Sequence, residues 1–140
     1  MRKLLIVEDD LNSLNGLVEL FVDEGYRVFG ARNATTAMQT VSAYDIDIVL
    51  TDYCLPDFNG VELIGELKRK NPFLQCFLFT ALLSNEVIQN SFRFGARRVF
   101  HKPLVLDELL AAVAEPLPSG YVVRTSNNYP VANLLEEESQ

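Results

Sequence analysis

The sequence predicts an α/β fold in which a doubly wound, five-stranded parallel sheet carries helices on both faces. Short apolar segments alternate five times with longer segments whose apolar residues recur at helical spacing. The chain has 140 residues, 49% of them apolar, which is enough for one buried core. Because right-handed crossovers join consecutive parallel strands, this alternation places helices on both sides of a single sheet.

The first two predicted units each pair a strand with a helix. Leu4 to Val7 is an all-apolar run, typical of a strand buried on both faces, and a helical pattern follows it as far as Gly25. The second unit has a weaker signal. Arg27 to Ala31 fits a strand, and Asn33 is a suitable N-cap for the helix that follows.

Three further units of the same kind follow. Each strand is a short apolar run, and each of the first two helices stops near a residue that favours helix termination. The predicted strands are Ile46 to Leu50, Phe77 to Phe79 and Val99 to Phe100, and the helices after them end near Asn71, Gly95 and Ala114. A turn-rich segment at Leu55 to Gly60 separates the third strand from its helix.

Residues 1–115 are predicted to form this domain, and residues 116–140 a C-terminal tail or linker with no independent domain. Two prolines and a glycine between 116 and 120 interrupt the alternation. The tail contains a short β-like stretch at Tyr121 to Arg124 and an acidic end at Glu136 to Glu138. About 25 residues cannot bury a core of their own, and they are too few for a helix-turn-helix domain.

Charge and cysteine content exclude several classes of function. Twelve basic and nineteen acidic residues give a net charge of −7, which predicts no direct binding to nucleic acid. The run at Leu4 to Val7 is far shorter than the ~20 residues of a membrane span, so no membrane association is expected. Cys54 and Cys76 lack the spacing of a metal site or disulfide framework, which favours a reducing, cytoplasmic setting.

The residues just after four of the five predicted strands are charged or polar. They are Glu8, Asp9 and Asp10 after the first strand, Asp52 after the third, Thr80 after the fourth and Lys102 after the fifth. An open α/β sheet binds its ligands at this edge. In the flavodoxin-like strand order 2-1-3-4-5, the carboxylates of Glu8, Asp9 and Asp52 would converge there.

Converging carboxylates repel one another unless a cation lies between them. Ligands that are all oxygen favour Mg²⁺ or Mn²⁺ over zinc. Such an ion, together with Lys102 and the Thr80 hydroxyl, is suited to holding a phosphoryl group. Since no serine, cysteine or histidine accompanies them as a nucleophile, a carboxylate takes that role, and its product is an aspartyl phosphate.

Four segments carry a family resemblance. They are LLIVEDD at Leu4 to Asp10, TDYCLPDFNG at Thr51 to Gly60, LFTA at Leu78 to Ala81 and GARRVFHKPL at Gly95 to Leu104. In this order and spacing, they resemble the receiver domains of two-component response regulators over about residues 1–115.

The resemblance implies a role for each residue of the site. Asp52 is the implied phosphoacceptor. Glu8, Asp9, Asp52 and the backbone carbonyl of Cys54 are the implied ligands of Mg²⁺ or Mn²⁺. Thr80 and Lys102 would contact the phosphoryl group, and Pro103 would follow a cis peptide bond.

The implied function is a phosphorylation-dependent switch in a phosphorelay. A histidine kinase or phosphotransfer protein would phosphorylate Asp52, and an unknown output protein would respond. The chain would then be no metabolic enzyme, since it assists only its own phosphorylation and dephosphorylation.

The alternative is a degenerate receiver acting as a constitutive protein-interaction module, which would lack the acceptor, an acid or the lysine. A metal-dependent hydrolase would need a cap insertion that the sequence lacks.

One departure from the family pattern concerns the switch. Val99 stands three residues before Lys102, where receivers usually carry an aromatic side chain that follows the threonine. Phe100 is adjacent, but strand alternation directs it to the opposite face. We therefore expect phosphorylation to bias the loop after Thr80 and the helix that follows it, through an element other than this aromatic that has two arrangements.

A second departure concerns the lifetime of the phosphoryl group. Cys54 and Leu82 occupy positions that influence the hydrolytic water in receivers, yet neither offers an amide or carboxylate, and Leu82 can shield the site. A long-lived aspartyl phosphate is predicted.

Several other polar residues receive more local interpretations. Asp10 is read as an acid at the start of the first helix, and Asp57 as a turn residue. Arg93, Arg97 and Arg98 concentrate positive charge with Lys102, which makes their region a candidate surface for an acidic partner or a homodimer.

Overall fold

The computed structural model describes residues 1–116, in which five strands alternate with five helices. The strands are β1 (Lys3–Val7), β2 (Arg27–Ala31), β3 (Ile48–Asp52), β4 (Gln75–Thr80) and β5 (Ala96–His101), and the helices are α1 (Leu11–Asp23), α2 (Ala34–Ala43), α3 (Gly60–Lys70), α4 (Asn85–Phe94) and α5 (Leu106–Ala114). All strands are parallel in the order β2-β1-β3-β4-β5, which confirms the predicted fold class. The predicted features at Tyr121 to Arg124 and Glu136 to Glu138 lie outside the described residues.

Alternating strand residues fill two cores, one on each face of the sheet. Leu5 and Val7 of β1 pack with α2, α3 and part of α4, whereas Leu4 and Ile6 pack with α1 and α5. All four side chains are fully buried. Burial of each contributes about 1.5–3 kcal/mol relative to exposure, which favours an interior rather than an edge position for β1.

Local sequence sets the helix ends that flank the site. Asp10 caps α1 by accepting a hydrogen bond from the Ser13 amide, as its predicted place at the helix start requires. Asn59 and Glu62 form a capping box at the start of α3. Gly25 and Gly95 follow α1 and α4 with φ angles of 95° and 121°, a region that glycine adopts without strain.

The fifth strand is longer than the predicted Val99 to Phe100. In β5, Ala96 pairs with Cys76 and Arg98 with Phe77, so Arg97 is the extra residue at an irregularity in the ladder. Two consecutive arginines interrupt the apolar pattern, which is why the sequence indicated only the second half of the strand. No helix within residues 1–116 is long and apolar enough to cross a membrane.

Candidate functional site

The ends of β1, β3 and β5 bring three of the predicted site residues together. Lys102 Nζ lies 2.7 Å from Asp52 Oδ2 and 3.2 Å from Glu8 Oε1, so one ammonium group bridges two carboxylates. The side chains of Glu8 and Asp52 are only 4% and 8% exposed, whereas that of Lys102 is 32% exposed. The acids are therefore buried, and the lysine connects them to solvent.

The charges of these residues shift one another's ionisation. Burial and the neighbouring Asp52 carboxylate raise the pKa of Glu8, although hydrogen bonds from Lys102 and the Asp10 amide oppose the shift. Burial disfavours the charged lysine, but the bonds to Asp52 and Glu8 outweigh it and raise the pKa of Lys102. One ammonium group thus does not fully offset the cost of burying two carboxylates.

The main chain around Asp52 is held against the start of α3. A Cβ atom at Gly60 would collide with the carbonyl oxygen of Asp52, so this close approach requires glycine. The Gly60 amide donates to the Tyr53 carbonyl at 2.8 Å, and the Cys54 amide donates to Asp52 Oδ1 at 3.1 Å. These contacts fix the Asp52 carboxylate relative to α3 and leave Oδ2 to Lys102.

Thr80 is buried at the end of β4 and contacts both neighbouring segments. Its Oγ accepts a hydrogen bond from the Leu82 amide at 2.9 Å, and its carbonyl accepts one from the Lys102 amide at 2.9 Å. A hydroxyl that accepts this bond still has its proton to donate. Thr80 therefore links the lysine-bearing strand end to the loop before α4.

The predicted convergence of Glu8, Asp9 and Asp52 is found for Glu8 and Asp52. Within residues 1–116, no three His, Cys, Asp or Glu side chains gather closely enough to hold a metal ion. Asp9 is exposed, and its backbone carbonyl accepts a hydrogen bond from Arg32 Nε at 3.0 Å. Lys102 lies between the two buried acids instead. The Lys102–Pro103 peptide bond is cis, as the resemblance implied.

The two residues before the end of β5 face opposite sides of the sheet, as strand alternation predicted. Val99 packs in the core beneath α3 and α4, together with Val87. Phe100 lies on the other face, where its ring is 6.4 Å from that of Phe77. The position three residues before Lys102 is thus aliphatic, partly buried and packed against the core.

Cys54 and Leu82 lie at the open side of the site. Cys54 is exposed, and partial burial together with the Asp52 charge raises the pKa of its thiol. Leu82, which was expected to shield the site, is 61% exposed. Neither side chain carries a group that can orient a water molecule by strong hydrogen bonding.

The predicted basic surface needs correction, because Arg97 is not on it. Its side chain is only 4% exposed and donates hydrogen bonds to Gln75, to the Glu115 carboxylate and to the carbonyls of Glu115 and Pro116. Arg98, which is 47% exposed, pairs with the same Glu115 carboxylate. The extra residue in β5 turns Arg97 inward, and Glu115 neutralises part of the charge.

Sequence reasoning missed the contacts made by Asp57 and Arg32. Asp57 lies in the predicted turn, but its carboxylate also accepts hydrogen bonds from Ala34 and Thr35 at the start of α2. Arg32 reaches the loop after β1. No local pattern signals these contacts, since the partners are 22 or 23 residues apart.

Comparison with known proteins places these features in a family. The family model for the response regulator receiver domain matches residues 4–114. Sporulation initiation phosphotransferase F of Bacillus subtilis is 34% identical over 116 residues, which cover 83% of this chain and 94% of the relative. The transcriptional regulatory protein CusR of Escherichia coli is 32% identical over 133 residues, or 95% of this chain and 59% of CusR. Among solved structures, the response regulator TrrA of Thermotoga maritima in complex with Mg²⁺-BeF superimposes with a TM-score of 0.74 at 28% identity, covering 81% of this chain and 96% of TrrA.

Proposed function

The chain belongs to the response regulator receiver domain family, and from that premise we propose that it is a phosphorylation-dependent switch with Asp52 as the phosphoacceptor. One observation carries the proposal. Asp52 Oδ2 lies 2.7 Å from Lys102 Nζ at the ligand-binding edge of the sheet, beside the buried Glu8. A receiver without the acceptor, the acid or the lysine would be a constitutive interaction module, and this site contains all three.

The proposed transfer is a substitution at phosphorus. An Asp52 carboxylate oxygen forms the new P–O bond while the P–N bond to the histidine of a kinase or phosphotransfer protein breaks, and the imidazole leaves with the bonding electron pair and takes up a proton. Lys102 then pairs with a phosphoryl oxygen in place of Oδ2, and the Thr80 hydroxyl donates to another. The chain promotes its own modification and turns over no metabolite.

The site has the donor types for a divalent cation such as Mg²⁺ or Mn²⁺, and we propose that Asp9, which is exposed and apart from Glu8 and Asp52 in this structure, turns toward them to complete the ligand set. Its donors are oxygens, and two buried carboxylates, those of Glu8 and Asp52, lie there with one ammonium group between them. Glu8, Asp9, Asp52 and the Cys54 carbonyl are the proposed ligands, and TrrA, a related receiver, was solved with Mg²⁺-BeF. The ion would neutralise charge on the phosphoryl oxygens.

The proposed partners are a histidine kinase or phosphotransfer protein as donor and an output protein of unknown identity. The two free cysteines support a reducing, cytoplasmic location. With Arg97 buried, the candidate surface for an acidic partner or a second copy is reduced to the region of Arg93 and Arg98.

Intact mass spectrometry after incubation with Mg²⁺ and acetyl phosphate tests the proposal. Wild-type protein is expected to gain about 80 Da, the mass of one phosphoryl group, and Asp52→Asn to gain nothing. The matched control is Asp45→Asn, which removes an exposed carboxylate outside the site. A gain that persists in Asp52→Asn would place the phosphoryl group elsewhere. No gain in the wild type, with Mg²⁺ bound, would favour the constitutive module unless a donor protein restores the reaction.

A further inference from the structure

We propose that Asp57 and Arg32 are positioning residues for cation binding, because they anchor the two loops that carry proposed ligands of the site to the junction of β2 and α2. The inference rests on the proposed function, since it concerns the affinity of that site for Mg²⁺. The two loops are residues 8–10, which follow β1, and residues 53–59, which follow β3. The junction comprises residues 31–35.

Asp57 accepts four hydrogen bonds, three of which hold the second loop to the start of α2. Its Oδ1 accepts from the amides of Ala34 at 2.9 Å and Phe58 at 3.0 Å, and its Oδ2 accepts from the Thr35 amide at 2.9 Å and the Thr35 hydroxyl at 2.7 Å. Desolvation opposes ionisation, but these bonds dominate and lower the pKa of Asp57. The carboxylate is therefore charged at neutral pH, and its bonds are charge-assisted.

Arg32 and Ala31 hold the first loop from the same junction. Arg32 Nε donates to the Asp9 carbonyl at 3.0 Å, and the Glu8 amide donates to the Ala31 carbonyl at 3.0 Å. The loop that carries Glu8 and Asp9 and the loop that carries Cys54 are thus both anchored to residues 31–35. The pairing of β1 with β3 brings the two loops side by side, and the junction adds a second set of contacts that both loops share.

Asp57 is not needed merely to cap α2, because that helix has its own cap. Asn33 accepts a hydrogen bond from the Thr36 amide at 2.7 Å, and its carbonyl accepts one from Ala37. The bonds from Asp57 instead reach α2 from another loop, so they constrain where that loop lies. Preset ligand loops lose less freedom when a cation binds, and outer contacts of this kind commonly change metal affinity 10–100-fold.

Calorimetric titration of the unphosphorylated full chain with MgCl₂ tests the inference. Asp57→Ala is expected to raise the Kd for Mg²⁺ by about tenfold or more, and Arg32→Gln by about threefold or more, since it removes a single bond. Asn33→Ala is the matched control: it destabilises the same helix end but touches neither loop, so its Kd should stay within about twofold of wild type. Asp57→Asn, which keeps one carbonyl acceptor, should fall between wild type and Asp57→Ala.

The outcomes separate positioning from general stability. Equal Kd values for wild type and Asp57→Ala would overturn the inference, and so would an equal rise in Asn33→Ala at matched loss of stability. If Asp57→Ala does not fold, Thr35→Val removes a single bond to Asp57 and is expected to raise the Kd in the same direction. Absence of Mg²⁺ binding by the wild type would instead contradict the proposed cation site itself, and the inference with it.

Discussion

Lys102 is the residue on which the charge balance of the site depends. It bridges Asp52 and Glu8 in the unmodified protein, and both bonds raise its pKa. After the proposed phosphorylation, the same ammonium group would exchange a carboxylate oxygen for a phosphoryl oxygen. A flexible side chain with a single point charge suits this exchange better than the rigid fork of an arginine.

Asp57 gives a prediction about stability and pH. Its pKa is lower in the folded state than the ordinary value of 3.8, so its contribution is fully present above that value and is lost as the pH falls through the folded pKa. Asp57→Asn should reduce the free energy of unfolding by about 1 kcal/mol near neutral pH, with a smaller difference below about pH 3. Urea unfolding of wild type and Asp57→Asn, at neutral pH and at low pH, measures the two differences in free energy of unfolding. A difference that does not change with pH would contradict the assignment, and Asp45→Asn serves as a control without these bonds.

Cys54 and Leu82 give a prediction about the lifetime of the phosphoryl group. Since neither side chain can position a hydrolytic water, the wild-type modification should be long-lived, and Leu82→Gln should shorten its half-life by about tenfold. The decay of the added mass after removal of acetyl phosphate measures this. Leu83→Gln, one residue further along the same loop, is the control. A wild-type half-life of seconds at neutral pH with Mg²⁺ would contradict the prediction.

At the scale of elements, the sequence predicted the presence of all ten helices and strands because most of their apolar periods are clear and several helix ends carry a cap or a glycine. Asn33, Gly25 and Gly95 mark helix ends in the structure as predicted. The strand bounds were less accurate: β3 begins two residues later than predicted and β4 two residues earlier. The start of β5 was missed because Arg97 is buried through hydrogen bonds rather than apolar contact. A buried arginine cannot be distinguished from a surface arginine by periodicity, because its partners Gln75 and Glu115 lie on distant elements.

The β4–α4 loop gives a prediction about signal transmission. Val99 provides no aromatic ring, but the Thr80 hydroxyl holds the Leu82 amide, so movement of Thr80 toward a phosphoryl group would displace residues 81–84. We expect phosphorylation to change amide hydrogen exchange in these residues, and Val99→Ala to preserve the change. Thr80→Val, which removes the bond to Leu82, should abolish it. A response centred on Val99 and absent from residues 81–84 would be contrary to this mechanism.

At the scale of the whole molecule, strand order explains why the candidate site was predictable. Glu8, Asp52 and Lys102 come from β1, β3 and β5, and the order β2-β1-β3-β4-β5 brings the ends of these strands to one edge. The contacts of Asp57 and Arg97 were not predictable in this way. They join a side chain to main-chain groups 18 to 23 residues away, and neither strand register nor helical period specifies such pairs.

Arg97 and Arg98 give a prediction about how the end of α5 is held to the sheet. Arg97→Ala removes a buried cation and leaves the Glu115 and Pro116 carbonyls without their donor, so the free energy of unfolding should fall by about 2–4 kcal/mol. Arg98→Ala removes an exposed ion pair with the same Glu115 and should lower the free energy of unfolding by less than about 1 kcal/mol. Urea unfolding of both variants makes the comparison. Equal losses would show that Arg97 contributes no more than a surface pair.

The unequal burial of the two cysteines provides the molecule with a built-in reporter. Cys76 is fully buried with a pKa raised to about 12, whereas Cys54 is exposed only two positions from Asp52. A thiol-directed fluorophore should therefore label the native protein at Cys54 without any engineered residue. The labelling rate depends on the local charge around that thiol. Labelling rates measured with and without acetyl phosphate would therefore report whether Asp52 is phosphorylated.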